Sequence, residues 1–124
     1  MQKNQYDMNR VPGFAQTPEP PYYAVIFTST RTATDTGYGE VADRLVDLAA
    51  GMDGFLGVES AREGVGITVS YWRDEASIRA WRAHPEHRGA MERGRAEWYG
   101  AFSTRVCRVE RDNSFIAPDD SDSI

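Results

Sequence analysis

The apolar residues follow two different periods along the chain, and each stretch of constant period predicts one secondary-structure element. Continuous or alternating apolar runs rich in β-branched and aromatic residues predict four strands, over Tyr22–Ser29, Phe55–Arg62, Ile67–Trp72 and Phe102–Val109. Helical spacing predicts three helices, which begin at Tyr38, Glu75 and Pro85. Asp74 is the expected N-cap of the second helix, and Pro85 biases His84 away from helical geometry, so that a new helix begins there.

The order of these elements, β-α-β-β-α-(α)-β, is that of a split β-α-β unit. It predicts an α+β, ferredoxin-like domain in which a four-stranded antiparallel sheet carries its helices on one face. Glycines at positions 64 and 66 predict a hairpin between the second and third strands. The third helix is expected to continue to the last strand, with one face formed by His87, Met91, Gly94 and Trp98.

Both faces of the predicted sheet carry apolar residues, although helices cover only one. In the third strand one face receives Ile67, Val69 and Tyr71, and the other receives Thr68, Ser70 and Trp72. In the second strand, Leu56 and Val58 are expected to oppose Phe55 and Gly57. A semi-apolar uncovered face predicts sheet-to-sheet packing in a homodimer.

The length of 124 residues corresponds to one domain, which we place at residues 22–116. Residues 1–21 contain four prolines and no periodicity, which predicts an arm that is extended or disordered unless a partner surface orders it. Residues 117–124 are acidic and too polar to fold, which predicts a disordered tail. A domain this small has difficulty enclosing a deep site alone, which again favours a second subunit.

Composition argues against a nucleic-acid partner, a membrane span and an intrachain disulfide. The net charge is −5, and no basic surface for nucleic acid is expected. No segment is long and apolar enough for a membrane span or a signal core. Cys107 is the single cysteine, so an intrachain disulfide is impossible, and a reducing, cytoplasmic location is expected.

The most informative feature is a concentration of aromatic and histidine side chains in the second half of the chain: Tyr71, Trp72, Trp81, His84, His87, Trp98 and Tyr99. One interpretation is a cleft that stacks a flat aromatic substrate and orients it with polar groups. The alternative is that Trp81 and Trp98 are core residues, since aromatics at helical spacing usually pack inward.

Two histidines are candidates for a general base, because an imidazole is partly neutral near pH 7. His84 and His87 stand three residues apart, but Pro85 breaks the register that a metal pair needs, so we expect no metal site. The alternatives are that His84 is a helix C-cap and that His87 makes a surface hydrogen bond. Arg62 and Arg95 are candidates for holding a substrate anion. The alternative is that both lie on solvent-exposed faces and bind no ligand.

Four segments carry a family resemblance: Tyr22–Arg31, Gly54–Glu63, Gly66–His87 and Gly94–Arg111. They resemble the antibiotic biosynthesis monooxygenase family, and in particular its small stand-alone bacterial members. The strand that ends in Tyr71-Trp72, followed by an acidic helix start and Trp81, is the most specific element. The resemblance implies a ferredoxin-like subunit that pairs into a dimeric α/β barrel.

The resemblance also implies a function. Some members of the superfamily oxidise polycyclic phenols with O₂ and without metal, flavin or haem, so the expected activity is cofactor-independent monooxygenation of a small aromatic or polyphenolic metabolite. In this chain the implied substrate contacts are Tyr71, Trp72, Trp81, Trp98, Tyr99 and Ser29, and the implied catalytic base is His84 or His87. The alternative is a non-catalytic dimeric module that binds a small hydrophobic molecule.

Haem degradation, known in a related branch, is a distant third hypothesis. Trp81 matches that branch's tryptophan, but Thr28 and Ser29 stand where its first strand carries an asparagine, and Met91 stands where its haem-ligating histidine would be.

Overall fold

The computed structural model describes residues 11–118, which form a single antiparallel sheet with its helices packed on one side. The strands are β1 (Tyr22–Arg31), β2 (Phe55–Glu63), β3 (Val65–Trp72) and β4 (Tyr99–Val109). The helices are α1 (Tyr38–Ala50), α2 (Glu75–Ala83) and α3 (Pro85–Arg93). The spatial order β2-β3-β1-β4 places β3 between the two strands that α1 connects. The predicted α+β, ferredoxin-like fold is therefore confirmed.

The third helix ends earlier than the sequence predicts. After Arg93 the backbone widens into one π-helical turn over Gly94–Trp98, and β4 begins at Tyr99 instead of Phe102. The Trp98 indole donates to the Thr36 carbonyl at 3.1 Å, and the Trp98 carbonyl accepts from the Thr32 N–H at 2.8 Å. Because these bonds fix Trp98 against the loop before α1, it does not continue one helical face with His87 and Met91.

A β-bulge in β2 changes which residues face the helices. Phe55 pairs with Trp72 and Gly57 pairs with Tyr71, so Leu56 is an extra residue in the ladder. The expectation that Leu56 and Val58 share a face is therefore wrong. Phe55 and Val58 face the helices together.

The core lies between the helices and one face of the sheet, which we call the helix face. Trp72 is completely buried, and Ala49 of α1 and Ile78 of α2 pack with it. Partly buried residues surround this centre: Tyr23, Val25, Met52, Phe55 and Trp81. The Trp72 indole N–H donates to the Ser70 hydroxyl at 2.9 Å, so the burial leaves no unpaired donor. Removal of such a side chain costs about 3–5 kcal/mol of folding free energy.

The opposite side of the sheet, the open face, is partly covered by residues that precede β1. The backbone N–H of Ala15 donates to the Glu59 carboxylate at 2.9 Å, and the Tyr71 hydroxyl donates to the same carboxylate at 2.6 Å. Tyr22 packs edge-on against Tyr71 with ring centroids 5.9 Å apart. Residues 11–21 are thus ordered against their own sheet, whereas the predicted disorder of residues 1–10 and 119–124 lies outside the described residues.

Gly54 couples the start of β2 to the N-terminus of α2. The Asp74 carboxylate accepts from the backbone N–H and the hydroxyl of Ser77, which confirms the predicted N-cap, and these hydrogen bonds lower the pKa of Asp74 to about 2. Gly54 has φ +87° and lies against Ser77, so that a Cβ at position 54 would stand 2.0 Å from the Ser77 hydroxyl oxygen.

We predict that Gly54→Ala lowers the free energy of unfolding by about 2–4 kcal/mol, since the new Cβ adds left-handed backbone strain to a steric clash. The matched control is Gly89→Ala, because a Cβ at Gly89 on the surface of α3 meets no atom within 4 Å. That variant should gain about 0.5–1 kcal/mol. Urea unfolding of both variants checks this, and equal stabilities would contradict the proposed coupling.

Candidate functional site

The predicted aromatic and histidine cluster is divided between the two ends of the helix face. Trp72, Trp81, His84 and His87 lie together at one end, and we call them the tryptophan–histidine cluster. Trp98 and Tyr99 lie toward the other end of β1 with Ser29. Tyr23, beside Trp72, and Ser29 are six residue steps apart on β1, which corresponds to about 20 Å along the strand.

Trp81 is the centre of the tryptophan–histidine cluster. Its ring stacks on Trp72 with centroids 6.2 Å apart and planes inclined by 28°. The imidazole of His87 lies 4.9 Å from it and that of His84 lies 5.7 Å from it, both tilted by 49°. Trp81 is only partly buried, so it closes the core on one side and contacts both histidines on the other.

His84 has a structural task at the junction of α2 and α3. Its backbone N–H bonds to the Trp81 carbonyl, and its Nδ1 accepts from the Glu86 N–H at 3.1 Å, so the ring is the N-cap of α3. Because Nδ1 accepts this bond, it carries no proton, and a neutral ring carries its proton on Nε2. His84 is thus the C-cap residue of α2, as the C-cap alternative expected, and its side chain is also the N-cap of α3.

His87 is in a different electrostatic environment. Burial lowers the pKa of its imidazole below the ordinary value, and a hydrogen bond with the Arg82 backbone opposes that shift only partly. Because the net shift is downward, the neutral form of the ring is favoured near pH 7. A neutral imidazole with one nitrogen bonded to the protein keeps the other as a proton acceptor.

The other end of the helix face holds a second group, the aromatic–arginine cluster, formed by Phe27, Ser29, Tyr38, Trp98, Tyr99 and Phe102 with Arg31, Arg62 and Arg95. Phe27 packs edge-on against Tyr99 and Phe102, with centroid distances of 5.2 Å to each. Burial, and then the hydrogen bond to Tyr38, raises the pKa of Tyr99, while the charges of Arg31 and Arg62 oppose that shift. Trp98 is 2% exposed and packs edge-on against Tyr38.

Ser29 is buried and bound by an arginine from the far edge of the sheet. Arg62 donates to the Ser29 hydroxyl at 2.6 Å and to its carbonyl at 3.3 Å. The guanidinium crosses directly over Gly66, where a Cβ would stand 2.2 Å from Arg62 Cζ. Arg62, Gly66, Ser29 and Phe102 therefore form one row across all four strands.

Tyr71 does not belong to either cluster. It precedes Trp72 on the same strand, so its side chain lies on the open face, where it contacts Tyr22 and Glu59. The expectation that Tyr71 lines the same cleft as Trp72 is wrong for this geometric reason.

Between the clusters, part of the helix face is exposed. Thr68 and Thr104 flank Phe27 in the ladder, and Ser60 pairs with Thr68. All three hydroxyl residues are exposed although they face the helix side, and we call them the polar floor. An uncovered floor with aromatic rings at both ends can accommodate a flat molecule between a neutral imidazole and a group of arginines.

Sequence reasoning missed Phe27, Phe102 and Tyr38 as neighbours of Ser29. The signal was available for the first two, because Phe27 and Ser29 share a face of β1, and Phe102 begins the predicted last strand. Tyr38 had no such signal, since its position depends on how the loop over residues 32–37 folds back onto Trp98.

Residues 11–118 contain neither a candidate metal site nor a candidate membrane-spanning helix. No group of three or more histidine, cysteine, aspartate or glutamate side chains is placed to hold a metal ion. No helix in that range is long and apolar enough to cross a membrane.

Comparison with known proteins identifies sequence relatives. The family model for antibiotic biosynthesis monooxygenase matches residues 21–93. The uncharacterized protein YqjZ of Bacillus subtilis is 56% identical over 103 residues, which cover 82% of this chain and 90% of that protein. The jasmonate monooxygenase ABM of Pyricularia oryzae is 35% identical over 92 residues, which cover 70% of this chain and 43% of that protein.

Solved structures with the same fold are more distant in sequence. SnoaB, a cofactor-independent oxygenase from Streptomyces nogalater, superposes with a TM-score of 0.64 at 15% identity, over 75% of this chain and 97% of that one. Rv0793 from Mycobacterium tuberculosis superposes with a TM-score of 0.66 at 12% identity, over 73% and 97%. These likenesses show the fold alone. The match over residues 21–93, with the relative at 56% identity, shows that the chain belongs to the antibiotic biosynthesis monooxygenase family.

Proposed function

We propose that the protein is a cofactor-independent monooxygenase that oxidises a small aromatic or polyphenolic molecule bound over the polar floor, with His87 as the general base. The observation that carries the proposal is the partly buried imidazole of His87, packed 4.9 Å from the Trp81 ring, with a pKa that burial lowers. Family membership and two relatives named as a monooxygenase and an oxygenase support the reaction class.

The proposed chemistry needs a substrate whose anion can reduce O₂. His87 takes a proton from an acidic C–H or O–H of the substrate, and the resulting anion transfers one electron to O₂. The substrate radical and superoxide combine to form a C–O bond, giving a peroxide after protonation. Loss of water across the O–O bond leaves a new carbonyl, so that a CH₂ group and O₂ become C=O and H₂O.

The other proposed contacts position the substrate. Trp72 is too deeply buried to touch a ligand, so in this proposal it acts by holding Trp81 in place. The exposed part of Trp81 offers the stacking surface beside the base. Ser29, Trp98 and Tyr99 belong to the far end, where Ser29 and Trp98 are buried and act through Phe27, Phe102 and Arg62.

We predict that the protein, incubated with an anthrone and O₂, consumes O₂ faster than the enzyme-free autoxidation. His87→Asn should lower kcat about 100-fold or more, since a positioned base contributes about 10²–10⁴-fold. The matched variant His84→Asn keeps a good helix N-cap and should stay within about threefold of the wild type. An oxygen electrode and mass spectrometry of the product give both readouts.

Equal turnover in all three proteins would contradict the assignment of His87. If the anthrone binds but none of the proteins exceeds the autoxidation rate, the non-catalytic binding module replaces the monooxygenase.

We also predict the pH dependence of the reaction. A base must be deprotonated to act, so kcat/KM should rise with pH around a midpoint at the pKa of His87 and level off above it. Because burial lowers that pKa, the midpoint should lie below 6.5, and NMR titration of the imidazole should give the same value. A kcat/KM profile with its midpoint above pH 6.5 would contradict the role of His87. The same rise of kcat/KM with pH in the His87→Asn variant would also contradict it.

We further propose that the open face packs against a second copy of the chain. Residues 11–21 cover the Tyr71 end of this face, and Ile67 and Val65 at the other end are 46% and 50% exposed. Two apolar residues this exposed on a sheet are typical of a surface that packs on another sheet.

We predict that sedimentation at micromolar concentration gives twice the monomer mass of 13.9 kDa. Ile67→Asp should shift the protein toward monomer, because it places a charge in the proposed interface. Val106→Asp is the matched control, since Val106 is 45% exposed but lies on the helix face. A wild-type monomer, or equal effects of the two substitutions, would contradict this assembly.

A further inference from the structure

We propose that the aromatic–arginine cluster is a carboxylate-binding subsite, in which Arg62 and Arg95 bind the acid group of an aromatic acid and the rings of Phe27 and Phe102 contact its apolar part. The inference rests on the proposed function only in placing the substrate over the polar floor. It adds the chemical class of that substrate, an elongated molecule that carries a carboxylate at the end remote from His87.

Arg62 is held in position by the protein and retains unused donors. Its guanidinium donates to two oxygen atoms of Ser29, and the glycine at position 66 leaves the space through which it crosses β3. Because a guanidinium has five N–H donors, those two contacts leave others for a ligand. An arginine fixed in this way loses less side-chain entropy on binding than one that extends freely into water.

Arg95 approaches the same row from the opposite edge of the sheet. It lies in the π-helical turn, with its Cζ 5.4 Å from the centroid of the Phe102 ring. Phe102 pairs directly with Ser29 in the β1–β4 ladder. Arg62 therefore contacts Ser29, and Arg95 contacts Phe102, its neighbour on the helix face.

Neither arginine is neutralised by a carboxylate within residues 11–118. The ion pairs in that range involve Arg31, Arg44, Arg73, Arg93 and Arg108. Asp35 is paired with Arg31, and Glu97 is paired with Arg93. This end of the helix face therefore presents positive charge that the protein itself does not cancel.

The apolar half of the subsite is formed by three partly buried rings. Phe27, Tyr99 and Phe102 are mutually in contact, with centroid distances of 5.2, 5.2 and 5.9 Å. A planar aromatic acid matches both halves, since its ring can pack on these side chains while its carboxylate accepts paired hydrogen bonds from a guanidinium. A neutral polyphenol would use only the rings.

The test is binding of naphthoate and of its neutral isostere naphthylmethanol, measured by calorimetry without any turnover. The wild type should bind naphthoate at least tenfold more tightly than the alcohol. Arg62→Gln and Arg95→Gln should each weaken naphthoate about tenfold, since a hydrogen bond to a charged group is worth about 1.5–3 kcal/mol. Both variants should bind the alcohol with an affinity within about twofold of that of the wild type.

Arg79→Gln is the control, because Arg79 lies on the exposed surface of α2 and should bind both probes as the wild type does. Arg95→Gln keeps the test valid if loss of the Ser29 bonds unfolds Arg62→Gln. Equal binding of acid and alcohol by the wild type, or an equal loss in Arg79→Gln, would overturn the subsite. Failure of the anthrone assay with these binding results intact would refute the proposed reaction and leave the subsite standing.

Discussion

Complete burial of Trp72 is the constraint on which both the core and the proposed reaction site depend. Its indole packs edge-on against Phe55, stacks with Trp81 and donates to Ser70, so it joins β2, β3 and α2. Trp81 is positioned by this stack, and His87 is positioned against Trp81. The same packing that stabilises the sheet therefore partly removes an imidazole from water and lowers its pKa, which favours the neutral form that a general base needs near pH 7.

The small number of helices leaves part of the helix face exposed. Three short helices cover the Trp72 end of the helix face and leave the polar floor around Phe27 exposed. At the far end, the row from Arg62 to Phe102 places two guanidinium groups beside three aromatic rings. The two ends differ in chemistry, with the proposed base at one and positive charge at the other. A molecule long enough to contact both ends would be oriented by its acid group and deprotonated at its opposite end.

Much of the fold could be predicted from the sequence, because local signals determine it. Strand and helix periods, the Asp74 cap and the helix break at Pro85 all act within a few residues of one another. The π-helical turn and the bulge at Leu56 could not be predicted, since each depends on contacts made by distant segments, Trp98 with Thr36 and Phe55 with Trp72. The same contrast between local signals and contacts of distant segments explains why the site was predicted only in part. Proximity in sequence suggested one aromatic cluster, but the length of β1 separates its members, and the pleat of β3 sends Tyr71 to the other face.

The central claim is that O₂ reacts directly with a substrate anion that this protein generates. The most direct measurement is turnover of an anthrone under ¹⁸O₂, followed by mass spectrometry of the product. If O₂ reacts directly with the substrate anion, the new carbonyl will carry one ¹⁸O atom for each O₂ consumed, above the enzyme-free background. A product whose new oxygen derives from water, or no label above that background, would contradict it.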